Sequence, residues 1–323
     1  MFHYDRGLKL TRADLAIDFR RRQPRAFISH AHMDHMARHQ YALCTPETAR
    51  LYQLRLGRRD VFELPYRRQI EWGGLKLTTY PAGHCLGSAM LLAEDEGRTL
   101  LYTGDFKLGE SATAERAELP RADVLVIEST YGEPRYRHPP RAESIASLID
   151  ACRSALADGV TPVIQAYALG KGQEVTRLLA TAGIPVLQHS KVFEVSQVYT
   201  ACGVDLGHYA VYAGQPLAGH AVVTPPSNHR PGHLPGLGRT VSIAVTGWAT
   251  HAAMCRRLRV DHAIGLSDHA DYDELFAAVE RVGAREIYCT HGPDSFVERL
   301  REAGFNAFPL AGVGWAPPTM HAG

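Results

Sequence analysis

In the stretch Ser29-His30-Ala31-His32-Met33-Asp34-His35, four of seven side chains are able to bind a metal ion, and the stretch follows directly on the apolar run Ala26-Phe27-Ile28. A short apolar run that ends in a polar turn reads as a buried strand opening onto a loop. In extended backbone, residues two apart face the same side, so His30 and His32 can present their imidazoles to one ion. The chain must then turn, which aims Asp34 and His35 at a second position nearby. Imidazole together with carboxylate suits zinc, with manganese and iron also open. A lone HxH is more often a solvated loop. Asp34 and His35, placed just behind a buried strand, argue against that reading.

The same grammar recurs along the chain. Thr99 to Tyr102 runs into Gly104-Asp105, and Val124 to Ile127 runs into Glu128. The alternating segment Leu75 to Tyr80 ends at Pro81 and leads to Gly83-His84, and Glu286 to Cys289 leads to Thr290-His291-Gly292. Loops at the ends of strands on one rigid sheet can converge on a single pocket. Catalytic zinc usually takes three protein groups plus water. His84, Asp105 and His291 are therefore candidates to complete the ligand count, and their small neighbours let the backbone turn closely around an ion.

Between these strands, Thr45 can cap a helix that has Pro46 at its first position and Gly57 at its end. Apolar spacing predicts further helices over 143–157, 173–182, 271–282 and 295–303. Strands mixed with helices argue for an α/β architecture. The middle third alternates helix with strands at 162–165 and 185–188, as in a small parallel βαβ unit. It ends in a Pro/Gly-rich loop over 224–238. The expected organisation is a discontinuous domain of residues 1–140 and 240–323, with residues 141–239 inserted as a second domain.

Composition narrows the class further. Lys and Arg total 35 against 34 acidic residues, a formal charge of +1, so any polyanion site has to be local. Arg20-Arg21-Arg22 with Arg25, Arg58-Arg59, Arg67-Arg68 and Arg256-Arg257 could line a groove for a phosphate chain, or be plain solvated faces. No apolar stretch approaches the roughly 20 residues needed to span a bilayer, and the N-terminus lacks the apolar core of a signal peptide. The six cysteines form no CxxC, which excludes a zinc ribbon or thioredoxin-type motif and points to reduced thiols in the cytoplasm.

The ordered set HAHMDH, then GH in Pro81-Ala82-Gly83-His84-Cys85-Leu86-Gly87-Ser88-Ala89, then Thr103-Gly104-Asp105, then a late histidine resembles the metallo-β-lactamase superfamily. Glu128-Ser129-Thr130-Tyr131-Gly132 resembles motif A of the β-CASP nucleases within it. Ser267-Asp268-His269-Ala270-Asp271 resembles their motif B, and Thr290-His291-Gly292 their motif C. Ala166 to Glu174 is similar to a signature of the inserted domain. The match covers essentially the whole chain and is finest to a short bacterial branch of ligase-associated DNA exonucleases and mRNA 3′-end processing exonucleases.

That resemblance implies an αββα sandwich carrying an inserted β-CASP domain and a two-metal site, with two Zn2+ and Mn2+ as the alternative. It implies His30, His32 and His84 on one ion, Asp34, His35 and His291 on the other, and Asp105 bridging. Asp34 would orient the attacking water. His269 would protonate the leaving oxygen, and Glu128 would accept a hydrogen bond from it and raise its pKa. Lys171 and Ser267 are candidate substrate contacts. The implied reaction is hydrolysis of single-stranded DNA or RNA, leaning to DNA and to exonuclease action, in DNA repair or RNA processing. A DNA ligase or helicase is a candidate partner, and no membrane is involved. Two other readings stand beside it: a small-molecule hydrolase of the same fold, which has no need of Glu128 and His269, and a non-catalytic scaffold.

Overall fold

The computed structural model describes residues 1–4, 6–215, 218–226, 234, 236–250 and 254–310. Much of the 224–238 loop falls outside the described residues.

The chain begins with six short strands that form one sheet in sequence order: β1 (Phe2–Tyr4), β2 (Leu8–Leu10), β3 (Leu15–Ile17), β4 (Arg25–Phe27), β5 (Tyr41–Cys44) and β6 (Asp60–Glu63). Helix α1 (Pro46–Leu56) packs against this sheet, capped by Thr45 Oγ1 accepting from Thr48 N and ended at Gly57. A second sheet starts with β7 (Ile70–Trp72), β8 (Leu75–Pro81), β9 (Ala89–Asp95), β10 (Arg98–Tyr102) and β11 (Val124–Glu128).

The chain then builds a separate unit over residues 136–268. It contains α2 (Arg141–Ala157), β12 (Thr161–Gln165), α3 (Lys171–Thr181), β13 (Val186–Gln188), α4 (Ser190–Ala201), β14 (Tyr209–Val211), β15 (Ala221–Thr224), β16 (Thr240–Val245), α5 (Met254–Leu258) and β17 (His262–Ile264). The sheet order is β14-β13-β15-β12-β16-β17, parallel throughout. Thr240–Val245 pairs along the whole of β12, so this sheet runs on past residue 239, where the boundary was expected. Its core is aliphatic, with Leu148, Ile164, Val175, Val223 and Ile243 buried together.

From residue 269 the chain returns to the first unit with α6 (Tyr272–Val282), β18 (Glu286–Thr290), α7 (Asp294–Glu302) and β19 (Ala307–Pro309). β18 inserts beside β11 in parallel, and β19 pairs with β18, which completes seven strands in the order β19-β18-β11-β10-β9-β8-β7.

Alternation along these strands sets the layers. Leu100, Tyr102, Val124 and Val126 face the first sheet and pack with Leu10, Leu15, Phe27 and Leu43. Leu101, Leu125, Ile127 and Ile287 face the other way, onto Leu275 and Val279 of α6 and Phe296 and Leu300 of α7. The first unit is thus an αββα sandwich. Asp271 caps α6 with Glu274 in a reciprocal box, and Gly283 ends it at φ 67°.

Candidate metal centre

Strand ends bring the donors together. β4 ends at Phe27 and Ile28 N still donates to Leu43 O, so the His30–His35 loop leaves from a fully paired edge. Ala89 N donates to Ser29 O and His84 N donates to Ser88 Oγ, which tie the His84 turn to that loop. Gly104 lets the Asp105 turn approach closely: a Cβ there would lie 2.7 Å from that of Ser29. At the end of β18, His291 adopts φ 55°, and a Cβ on Gly292 would lie 2.0 Å from Ser129 O. Only glycine fits that approach.

The donor atoms converge in two lobes that share Asp105. His30, His32, His84 and Asp105 each offer one atom within 4.8 Å of the others, as do His35, Asp105 and His291. His32 Nδ1 lies 3.0 Å from His30 Nε2 and 3.1 Å from His84 Nε2. Four-coordinate zinc at about 2.0–2.1 Å from nitrogen sets such atoms roughly 3.3 Å apart, so the cluster fits an ion within a few tenths of an ångström. Asp105 Oδ2 lies 3.5 Å from His30 Nε2 and 3.2 Å from His35 Nε2, while Oδ1 lies 4.0 Å from His291 Nδ1. Asp34 stands apart from these groups. Its carboxylate is half-exposed, 3.8 Å from both His35 Nε2 and the Arg20 guanidinium.

Asp18, which sequence reading passed over, organises the rings from behind. Its carboxylate accepts from Ser29 N at 2.7 Å, Ser29 Oγ at 2.5 Å, His35 Nδ1 at 2.9 Å and Tyr102 Oη at 2.8 Å. Since Ser29 Oγ gives its proton to Asp18, it accepts from His30 Nδ1 at 3.0 Å. Both His30 and His35 are then held as Nδ1–H tautomers with Nε2 aimed at the cluster, the usual support for a ligating imidazole.

Burial and the carboxylates act in opposite directions on these rings. Burial, reinforced by His35 and His84, holds His30 well below the usual histidine range, so its ring stays neutral. Burial also lowers His291, helped by His35. At His35 burial is outweighed by Asp105, Asp34 and its hydrogen bonds, which raise it well above the ordinary value. Asp105 is likewise buried, yet His35 and His269 hold its carboxyl well below the usual carboxylate range.

A second constellation adjoins the first. His269 Nδ1 donates to Glu128 Oε1 at 2.9 Å, and the His269 ring sits 4.6 Å from that of His84. Glu128 is buried and also accepts from Phe106 N at 3.0 Å and Thr130 Oγ1 at 2.5 Å. Ala270 N donates to Phe106 O at 2.6 Å, which anchors the His269 turn beside Asp105.

Comparison with known proteins bears on this geometry. A family described as "Zn-dependent metallo-hydrolase RNA specificity domain" matches residues 255–309. A "Probable DNA ligase" of Opitutus terrae is 34% identical over 99% of this chain, and an endoribonuclease, ysh1, of Schizosaccharomyces pombe is 40% identical over 35% of it. The chain belongs to the β-CASP family of the metallo-β-lactamase superfamily. It spans only 32% and 15% of the lengths of those two relatives. A solved structure from Enterococcus faecalis V583, of unknown function, shares the fold at a TM-score of 0.55 and 13% identity, covering 83% of this chain and 75% of that one.

Within this β-CASP chain the two candidate substrate contacts lie in the unit of residues 136–268, both buried. Lys171 is 1% exposed and donates to Glu174 Oε2 at 2.9 Å, with Asp268 at 3.9 Å, and Arg141 bonds the other Glu174 oxygen at 2.8 Å. It is therefore an internal cation of that unit and not a surface one. Ser267 is 5% exposed. The described residues contain no helix long and apolar enough to cross a membrane, and all six cysteines are free.

Proposed function

We propose that this chain hydrolyses phosphodiester bonds of single-stranded nucleic acid in a metal-dependent reaction. The observation that carries the reading is the Glu128–His269 pair set beside the Asp105 cluster. Lactam, lactone or thioester hydrolysis has no need of such a pair. His30, His32, His84 and Asp105 would hold one ion, and His35, Asp105 and His291 a second, with Asp34 closing in from its loop. Two zinc or manganese ions bound there supply positive charge to the phosphate oxygens and make a water acidic near neutral pH.

The chain's own residues handle the protons. Asp34, with its half-exposed carboxylate, accepts a hydrogen bond from the attacking water and orients it. The water oxygen, its proton passing to the Asp34 carboxylate and on to solvent, bonds to phosphorus as the bond from phosphorus to the leaving oxygen breaks. His269, whose Nδ1–H is committed to Glu128, gives its Nε2 proton to that leaving oxygen. Glu128 fixes the ring's tautomer and plane, itself held by Phe106 N and Thr130.

We read the unit of residues 136–268 as the inserted β-CASP domain. The Opitutus relative, matched over 99% of this chain, is named for DNA ligation. That supports DNA as substrate, with a DNA ligase as a partner, in repair. The RNA-specificity match and the endoribonuclease relative favour RNA as the second reading. Exonuclease action rests on the family resemblance, and the free thiols support a cytoplasmic setting.

One gel tests all of this. Protein loaded with zinc or manganese meets single-stranded DNA and RNA of one sequence, labelled at either end, with chelator controls. Chelator-sensitive cleavage is the expected result, and the ladder gives sugar preference, mode and polarity. No cleavage by protein that carries two ions would overturn the reading in favour of a small-molecule hydrolase.

A further inference from the structure

A cleft of about 470 Å3 opens within the first unit beside Asp34 and His291. That size suits one small ligand. Three features of its wall are unused by the chemistry above. Arg6 and Arg21 are exposed guanidiniums that line the cleft, with no ion pair or hydrogen bond among the described residues. Arg20 differs, because it is engaged with Asp34. Tyr4, one of few large exposed hydrophobic side chains at 44%, stands on the same wall. The third feature is rigidity: Arg6 sits at φ 54° in the β1–β2 turn, and Gly7 beside it lies so close to Phe19 that a Cβ would meet the ring at 2.4 Å. Gly7, next to Arg6, thus packs closely on Phe19, and Tyr4 lies on β1, paired in register with Leu8 of β2. The acids on the wall are Asp34, engaged with Arg20, Asp18, engaged with Ser29, His35 and Tyr102, and Asp294.

Free guanidiniums next to an exposed aromatic ring, in a cleft of small-ligand size, are the elements that recognise a nucleotide of an unpaired strand: the cation meets phosphate and the ring stacks on the base. We infer that this cleft is a subsite for one nucleotide adjoining the bond to be cut, with the phosphate on Arg6 and Arg21 and the base on Tyr4. The inference deepens the nuclease reading and rests on it for the word substrate. Nucleotide binding itself can be tested without any metal.

The probe is deoxyadenosine monophosphate, titrated by calorimetry into the chelated full chain, with deoxyadenosine and inorganic phosphate as comparison ligands. Three variants are compared with the wild type: Tyr4→Ala, Arg21→Gln and Arg6→Asn, the last chosen because asparagine tolerates positive φ. The monophosphate should bind more tightly than either fragment, and each variant should lose about tenfold with its fold intact by circular dichroism. On an oligonucleotide with metal present, the variants should raise KM, leave kcat near the wild-type value, and, for each arginine, lower the salt dependence of binding by about one ion. Equal binding by wild type and all three variants overturns the subsite even if the wild type cleaves. Phosphate binding as tightly as the nucleotide also overturns it, since the cleft would then take only an anion. A wild type that binds the nucleotide but cleaves no strand would instead overturn the nuclease reading.

Discussion

His269 Nδ1 and Glu128 Oε1 lie 2.9 Å apart although 141 residues separate them in the chain. Glu128 closes β11 and His269 stands where the chain re-enters the first unit. The hydrogen bond commits Nδ1 and fixes the plane in which Nε2 lies. His269→Ala should keep its full metal content and lose about 10²- to 10⁴-fold in cleavage rate, the usual contribution of a general acid. Metal analysis and a cleavage time course on the same sample decide it, and activity near wild type would remove His269 from the mechanism.

Asp105 is the one residue common to both donor lobes. Asp105→Ala should therefore lose metal together with activity, and more metal than any single histidine variant loses. A variant that retains two ions per chain contradicts the bridging role.

Asp18 touches no substrate in the proposed mechanism and acts through Ser29, His30 and His35. Asp18→Asn keeps the volume and removes the charge that fixes both tautomers. Metal affinity should fall about 10- to 100-fold, as for other partners of ligating histidines. Competition with a chromogenic chelator measures this, and added zinc should restore activity. Unchanged affinity would make Asp18 a purely structural residue.

His39 gives a pH signature apart from the donor cluster. Burial brings its pKa from 6.5 down to about 4. Gln23 N and Ala37 N each point at a ring nitrogen; the neutral ring accepts from one of them and an imidazolium from neither. Between pH 4 and 6.5 the unfolded chain binds a proton that the folded chain does not. Stability thus rises with pH across that window and falls on acidification. Chelated protein should show a lower Tm at pH 5 than at pH 7, and His39→Asn should flatten that dependence. A parallel pH dependence in the variant would assign the effect elsewhere.

Much of the architecture was legible in the chain. The runs that became β8, β10, β11, β12 and β18 are apolar, bounded by turn residues and long enough to carry a period. Thr45, Asp271, Gly57 and Gly283 mark helix ends by their own chemistry. The opening strands β1, β2 and β3 were not visible, because three residues each are too few to show alternation. Asp18 went unnoticed with them, although it closes β3 as Glu128 closes β11. The second unit was underestimated for a related reason: β16 and β17 follow a Pro/Gly-rich stretch, and only their pairing with β12 assigns them to its sheet.

By itself the sequence determined which chemistry was available: histidines and carboxylates at strand ends, in an order that marks the family. Only the tertiary structure decided which atoms meet. The pairing of β10, β11 and β18 sets Asp105, Glu128 and His291 side by side from distant parts of the chain. The placement of Asp18 selects the nitrogen that each ring presents. Burial turned Lys171 inward, where an unpaired cation is too costly and Glu174 satisfies it. Spacing in the chain reports which side chains can face one way, whereas distance, tautomer and burial belong to elements that meet only after folding.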